Sequence, residues 1–442
     1  MRRPSVHFAP DANWMNDPNG MFHLDGVWHL IYQHNPHGPE WGNMSWGHAV
    51  STDLLHWSER DVALPFGEDF GVFSGSAVVD HDNTSGLGSE AEGAPPPVVA
   101  FYTKAVEGGT QSQWMAVSRD AGETWSYVGD EPVADRGSAN FRDPKVFRYA
   151  RADGVGEWRM VAVEAEDRQI VVYRSADLLT WEFAGSFGPV GPRGLIWECP
   201  DLFPLPVDGD AAGAMEKWVL LLSLNPTQDD ATDEARAEGS HMVYLVGSFD
   251  GSTFVPDDPE RWDRVDLGPD FYAGVTFDNA PDRRRIMIGW VSNWLYAHEF
   301  PHTGWRGTMS LPRELSLATV DGRVRLVQRP LLAAGSDVEL DAEVVPGDGL
   351  SIVADGAGDL LTITPDVDTG SEVVRVDRHE PVLVGDWFRR AVAVPAGGDA
   401  SLRVILDGDV VEVFADQGLA TFTAVLAPTD GQERAVVEGG AM

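Results

Sequence analysis

The 442 residues predict an all-β protein, a five-bladed β-propeller followed by an antiparallel β-sandwich, and three observations carry that reading. Short apolar runs are broken by Gly, Asp and Asn turns, with no sustained helical period. A turn phrase, Ser-x-Asp followed by an aromatic residue, returns as STDLLHW (51–57), SRDAGETW (118–125), SADLLTW (175–181) and, more loosely, SFDGSTF (248–254). A second series keeps step with it: NDPNGMF (16–22), FSGSAVV (73–79), RDPKVF (142–147), ECPDLF (198–203) and YAGVTF (272–277) each join a polar or small start to an apolar strand.

Two interleaved series, each repeating at roughly 60 residues, describe five units of a few strands apiece, the blades of a propeller. Asp-Gly pairs between apolar runs, as in HLDGVWHLIY (23–32) and TVDGRVRLVQ (319–328), read as hairpin turns within units. Sixteen tryptophans and 47 glycines suit such a fold, because Trp fits packed sheet faces and Gly fits tight corners. The series ends near LVQRP (326–330), giving a propeller domain over 1–328. Alternating strands with Gly/Asp turns then continue, as in LRVILDGDVVEVFAD (402–416), and read as a sandwich over 329–442. Its reading is structural, a shield for the propeller's flank; a contribution to substrate access or to a homo-oligomer is the alternative.

Charge and composition exclude several functions. A formal net charge of −38 turns the phosphate attraction of nucleic acids and anionic membranes into repulsion, so a neutral small molecule is the expected partner. Cys199 is the only cysteine, which excludes an intramolecular disulfide and a cysteine-ligated zinc. Of His48, His81, His241, His298 and His302 only the last two stand four apart, in HEFPH, and the Pro in YAHEFPHTGW argues for a loop over the helix that an H-E-x-x-H metal site needs. No metal and no cofactor is expected, and the segment reads as a loop that lines the substrate. No apolar stretch approaches the length of a membrane span. Met1 to Pro10 carries two arginines without a following apolar run, so a cytoplasmic protein is expected, or a secreted one if a leader has been removed.

In a propeller the innermost strand of each blade faces a central channel, so residues at equivalent strand starts converge at one mouth. The second series would bring Asp17, Asp143 and Glu198 there. Three like charges in one pocket push at least one carboxyl toward its protonated form. Retaining cleavage of a glycosidic bond needs such acids: one attacks the anomeric carbon, the other protonates the leaving oxygen and then activates water.

The segments WMNDPNG (14–20), FRDP (141–144) and WECPD (197–201) resemble the three signature motifs of glycoside hydrolase family 32, the family of invertases, exo-inulinases and levanases. MSWGHAVSTDLLHW (44–57), FSGSAV (73–78), GWRGTMSLPRELSL (304–317) and VVEVFADQG (410–418) extend the resemblance over nearly the whole chain. It implies a retaining, exo-acting β-fructofuranosidase that releases terminal fructose from sucrose and fructo-oligosaccharides, with inulin and levan as longer candidates. By that resemblance Asp17 is the nucleophile, Glu198 the general acid/base, and Asp143 a fixed carboxylate beside the positive transition state. Asn16, Gln33, Trp41, Phe73, Ser74 and Arg142 become substrate contacts, with Tyr272 and Trp290 as further ones and Tyr272 placed to tune Glu198. Cys199 beside the acid is read as packing. The rival readings are a fructosyltransferase with the same acids, a non-catalytic sugar-binding propeller, and an arabinanase-like enzyme of the same fold.

Overall fold

The computed structural model describes residues 2–150, 154, 156–209, 215–300, 302–333, 335–344, 350–354, 358–365, 373–379, 390–395, 402–426 and 434–438. Among them, five antiparallel sheets follow one another along the chain. The first comprises β1 (Asn13–Leu24), β2 (Val27–Asn35), β3 (Ser45–Ser51) and β4 (Ser58–Leu64). The second comprises β5 (Phe70–Val79), β6 (Val98–Val106), β7 (Gln111–Ser118) and β8 (Ser126–Val128). The third comprises β9 (Phe141–Ala150), β10 (Gly156–Glu164), β11 (Gln169–Ser175) and β12 (Glu182–Phe187). The fourth comprises β13 (Ile196–Pro206), β14 (Glu216–Asn225), β15 (His241–Phe249) and β16 (Phe254–Pro256), with β17 (Asp263–Arg264) also on β15. The fifth comprises β18 (Tyr272–Thr276), β19 (Arg285–Trp290), β21 (Arg313–Val320) and β22 (Arg323–Pro330).

The first strands of these sheets touch in a cycle, β1 to β5 to β9 to β13 to β18 and back to β1, which makes five blades around one axis. The ring is tied shut where β20 (Trp305–Arg306) pairs in parallel with Asn13 and Trp14, and where Asp278 exchanges backbone hydrogen bonds with Met21 and His23. The repeated Ser-x-Asp phrase is the turn between the third and fourth strands of a blade. In three copies the Ser hydroxyl donates to the Asp, the Asp collects backbone N–H groups, and the final indole N–H donates to a turn carbonyl. The Asp25–Gly26 and Asp321–Gly322 turns have both residues at positive φ, as a two-residue hairpin requires.

Beyond Pro330 two further sheets face each other across an apolar layer. One contains β23 (Leu340–Val344), β28 (Leu402–Asp407), β29 (Val410–Ala415) and β30 (Ala420–Val425). The other contains β24 (Leu350–Ala354), β25 (Gly358–Pro365), β26 (Val373–Arg378), β27 (Arg390–Pro395) and β31 (Arg434–Glu438). Leu361, Ile363, Val376, Val404, Leu406, Val411, Val413 and Phe422 fill the layer between them.

The sandwich is held to the propeller by buried charges. Arg313, fully buried, donates to Asp266 at 2.9 Å and to Glu412 at 2.5 Å, and its fork also reaches the Thr421 and Thr423 hydroxyls. Arg378 pairs with Asp270, which also accepts the Tyr296 hydroxyl. His7 bridges Asp407 at 2.8 Å and Glu412 at 3.0 Å. Against the lowering effect of burial, those two acids push His7 up to about 9. Gly268 lets the segment before β18 lie flat on β30, since a Cβ there would sit 2.1 Å from the Thr423 carbonyl oxygen.

Candidate active site

Bulges in the first strands aim side chains into the mouth. In β9, β13 and β18 the last residues paired before the register shift are Arg142, Glu198 and Tyr272, opposite Val163, Ser223 and Trp290. Two bulged residues follow in each: Asp143–Pro144, Cys199–Pro200 and Ala273–Gly274. The first of each pair is left-handed, with φ of 61°, 45° and 52°, a conformation that L-residues adopt only under constraint. In β1 the matching bulge falls at Gly20–Met21, and a second irregularity at Asn16–Asp17 lies upstream of it. In β5 the shift falls at Ser74.

This geometry corrects the expected equivalence of the acids. Asp143 is equivalent to Cys199, Glu198 to Arg142 and Tyr272, and Asp17 stands in an extra bulge of its own. A bulge inserts an unpaired residue and resets the side-chain alternation, which counting along the sequence does not register. The three carboxyls nonetheless meet.

Asp17 accepts from the Asn16 amide at 2.9 Å, the Ser74 hydroxyl at 2.8 Å and, more weakly, the Cys199 thiol at 3.5 Å. Burial and the nearby Glu198 charge raise its carboxyl above the ordinary value, while those three donors oppose the rise. Asp143 accepts the backbone N–H of Cys199 at 2.9 Å, and the thiol lies 3.7 Å from the same oxygen. Burial pushes Asp143 up to about 7; Arg142 opposes the shift and Glu198 adds to it. Glu198 accepts from Arg142 at 3.2 Å on one oxygen and from the Tyr272 hydroxyl at 2.6 Å on the other. Cys199 therefore touches both Asp17 and Asp143 and adjoins Glu198, and its own thiol is held far above the ordinary value, chiefly by burial and then by the acids around it.

The remaining expected contacts divide by depth. Asn16 is oriented by the Trp14 indole N–H at 2.7 Å, and the Gln33 amide donates to the Val72 carbonyl at 3.0 Å. Trp41, 45% exposed, stands at the rim and meets Phe73 edge-on with ring centroids 6.0 Å apart. Both line an open cavity of about 380 Å³ with Met44, Phe66, Glu107 and Gln111. Trp290 is different: at 1% exposure it packs against Trp14 and Trp294, so it supports the floor and presents no ring face to a sugar. His298, on the loop after β19, stacks on Trp14 at 5.3 Å. Among the described residues no cluster of side chains has the make-up of a metal site.

Several residues of the site were not found from sequence. Gln111 and Asn140 accept from Arg142, Thr103 accepts the backbone N–H of Asp143, and Ser223 accepts that of Ala273. A signal existed for two of them. Thr103 in VVAFYTKAV and Ser223 in EKWVLLLSLN are polar residues inside apolar strands, where a buried hydroxyl must find a partner.

The N-terminal-domain model of glycosyl hydrolases family 32 matches residues 7–330, and the family's C-terminal model matches residues 361–441. The levanase of Bacillus subtilis is 38% identical over 484 aligned positions, covering 99% of this chain and 68% of that protein. The extracellular exo-inulinase of Aspergillus niger is 40% identical over 361 positions, covering 74% of this chain and 64% of that one. The chain thus spans about two thirds of the length of these curated relatives. Among solved structures, the exo-inulinase of Aspergillus awamori superposes with a TM-score of 0.85 at 31% identity, covering 99% of this chain and 96% of that one. The β-fructofuranosidase of Schwanniomyces occidentalis complexed with fructosyl-erythritol gives 0.87 at 30% identity, covering 99% and 94%. With both of its domains matched and three carboxyls gathered at the propeller's mouth, the chain belongs to glycosyl hydrolases family 32 and is an enzyme of the β-fructofuranosidase class.

Proposed function

We propose that this enzyme releases terminal fructose by double displacement, with Asp17 as nucleophile, Glu198 as general acid/base and Asp143 as transition-state stabiliser. The supporting observation is that Cys199 bridges Asp17 and Asp143 by its thiol and backbone N–H, while its neighbour Glu198 is bonded to Arg142 and Tyr272, so each carboxyl has a different environment. In the first step the Asp17 carboxylate forms a bond to C2 of the fructosyl unit as the C2–O bond to the leaving group breaks. The proton of Glu198 passes to the leaving oxygen. In the second step Glu198 takes a proton from water, the hydroxyl adds to C2 and Asp17 is released. Charge at C2 is positive in both transition states, so the buried Asp143 carboxylate stabilises them more than the neutral substrate. Asn16 and Ser74, already bonded to Asp17, sit where a fructose hydroxyl would compete for the same donors. Trp41 and Phe73 offer apolar surface at the rim for the leaving group. Sucrose and fructo-oligosaccharides are the proposed substrates, with inulin and levan as longer candidates.

Chromatography of products from sucrose, inulin and levan, incubated separately, tests the reading. Equal glucose and fructose from sucrose, with free fructose as the first product from the polymers, is expected. Glucose in large excess over fructose would assign a fructosyltransferase instead, and no turnover of any of the three would reject the reading.

A further inference from the structure

The left-handed bulge residues need their backbone N–H groups captured, because a bulge takes them out of the sheet ladder while burial removes water. In the third, fourth and fifth blades the capture comes from the preceding blade. Asp143 donates to the Thr103 hydroxyl at 2.9 Å, Cys199 to the Asp143 carboxylate at 2.9 Å, and Ala273 to the Ser223 hydroxyl at 3.1 Å. Thr103 and Ser223 hold the same place in their blades. Each lies on the second strand, opposite the residue of the first strand that is paired just before the register shift: Thr103 faces Phe73 and Ser223 faces Glu198. The residue at that place in the third blade is Val163, opposite Arg142, which has no hydroxyl to offer. There the side chain of Asp143 takes the N–H that a hydroxyl takes elsewhere.

We propose that Thr103 and Ser223 form a repeated inter-blade clamp of positioning residues, and that Thr103 sets the direction of the Asp143 carboxylate. Thr103 is fully buried and does more than one task. Its proton is shared between the Gln113 amide oxygen at 2.9 Å and the Ser74 carbonyl at 3.2 Å. Gln113, also fully buried, donates in turn to the carbonyl of Phe141, two residues before Asp143. One hydroxyl thereby connects the backbone of Asp143 with the backbone of Ser74, whose side chain holds Asp17. Loss of it frees the strained bulge to relax and turns one carboxylate away from C2. Ser223 acts by the same geometry on the bulge next to Tyr272, and through Tyr272 on Glu198.

The inference rests on the proposed sucrose hydrolysis, so the wild-type enzyme is assayed beside the variants; an inactive wild type would reject that reading and not the clamp. Thr103→Val keeps the shape of the side chain and removes the acceptor, and Thr103→Ser restores it. Expected for Thr103→Val is a fall in kcat of about 10- to 100-fold with KM changed less than about threefold, as misplacement of a catalytic group by a fraction of its reach produces. Thr103→Ser should recover most of that loss, and Ser223→Ala should lower kcat by about tenfold without altering KM. The clamp is overturned if Thr103→Val keeps wild-type kcat, or if Thr103→Ser is as impaired as Thr103→Val. A loss in Thr103→Val that disappears when activity is normalised to the folded fraction, measured by circular dichroism, would also overturn it.

Discussion

The mouth of the propeller and its junction with the sandwich both bury charge, on opposite principles. The mouth gathers like charges: Arg142 pairs with Glu198 and opposes the rise of Asp143, and Asp17 and Asp143 are both raised. The junction gathers unlike ones: Arg313, Arg378 and His7 face Asp266, Asp270, Asp407 and Glu412, and Asp407 and Glu412 are both lowered by their cationic partners. At the junction, compensation fixes geometry. At the mouth compensation is incomplete, as the proposed roles in attack and proton transfer require, and the surrounding sheets must bear the strain.

Removing a charge should therefore have opposite consequences in the two places. Asp17→Asn should lower kcat by roughly 10⁴-fold or more in a sucrose assay, since the amide cannot attack C2. The same variant should be more stable than the parent by about 0.5–2 kcal/mol in urea denaturation, because one of three crowded charges is gone. Arg313→Met should do the reverse. It leaves Asp266 and Glu412 buried without their main cation and should lower stability by roughly 3–5 kcal/mol, with kcat per folded molecule unchanged. If both substitutions moved stability the same way, the contrast between the regions would fail.

The dependence on pH sharpens the comparison further. Asp143 is raised from 3.8 to about 7, so its carboxylate, and with it the proposed transition-state stabilisation, is gained as pH rises through about 7. Arg142→Gln removes the cation that holds that carboxyl down, and should move the acidic limb of kcat/KM to higher pH in a steady-state profile. His7 is raised from 6.5 to about 9, so the stability it contributes is complete below about pH 6.5 and is lost as pH rises through about 9. Urea midpoints at pH 6, 8 and 10 should fall for the parent and fall less for His7→Gln. A parent midpoint that stayed level across that range would remove His7 from the junction's charge balance.

Much of the propeller was legible because local chemistry repeats with the blades. The Ser-x-Asp phrase marks a turn whose hydrogen bonds are made within seven or eight residues, so each copy announces itself in sequence. The acids were legible for the same reason, each sitting in a short motif at a strand start. Their relative placement was not, because bulges shift Asp17, Asp143 and Glu198 into three different relations to their strands. Trp290 reads as a sugar contact beside the site, yet packing against Trp14 and Trp294 consumes its faces. The junction was invisible: Arg313 and Glu412 lie 99 positions apart and belong to no repeat, and only the docked sandwich gives their charges a reason.

The most direct measurement is covalent trapping. Glu198→Ala is mixed with a fructoside that carries a good leaving group, quenched, digested and mapped by mass spectrometry. The expected result is a single fructosyl unit esterified to the peptide that contains Asp17, because glycosylation proceeds without the acid while its reversal by water is slowed. A fructosyl unit on the Asp143 peptide, or turnover with no covalent species at any quench time, would contradict the division of roles among the three carboxyls.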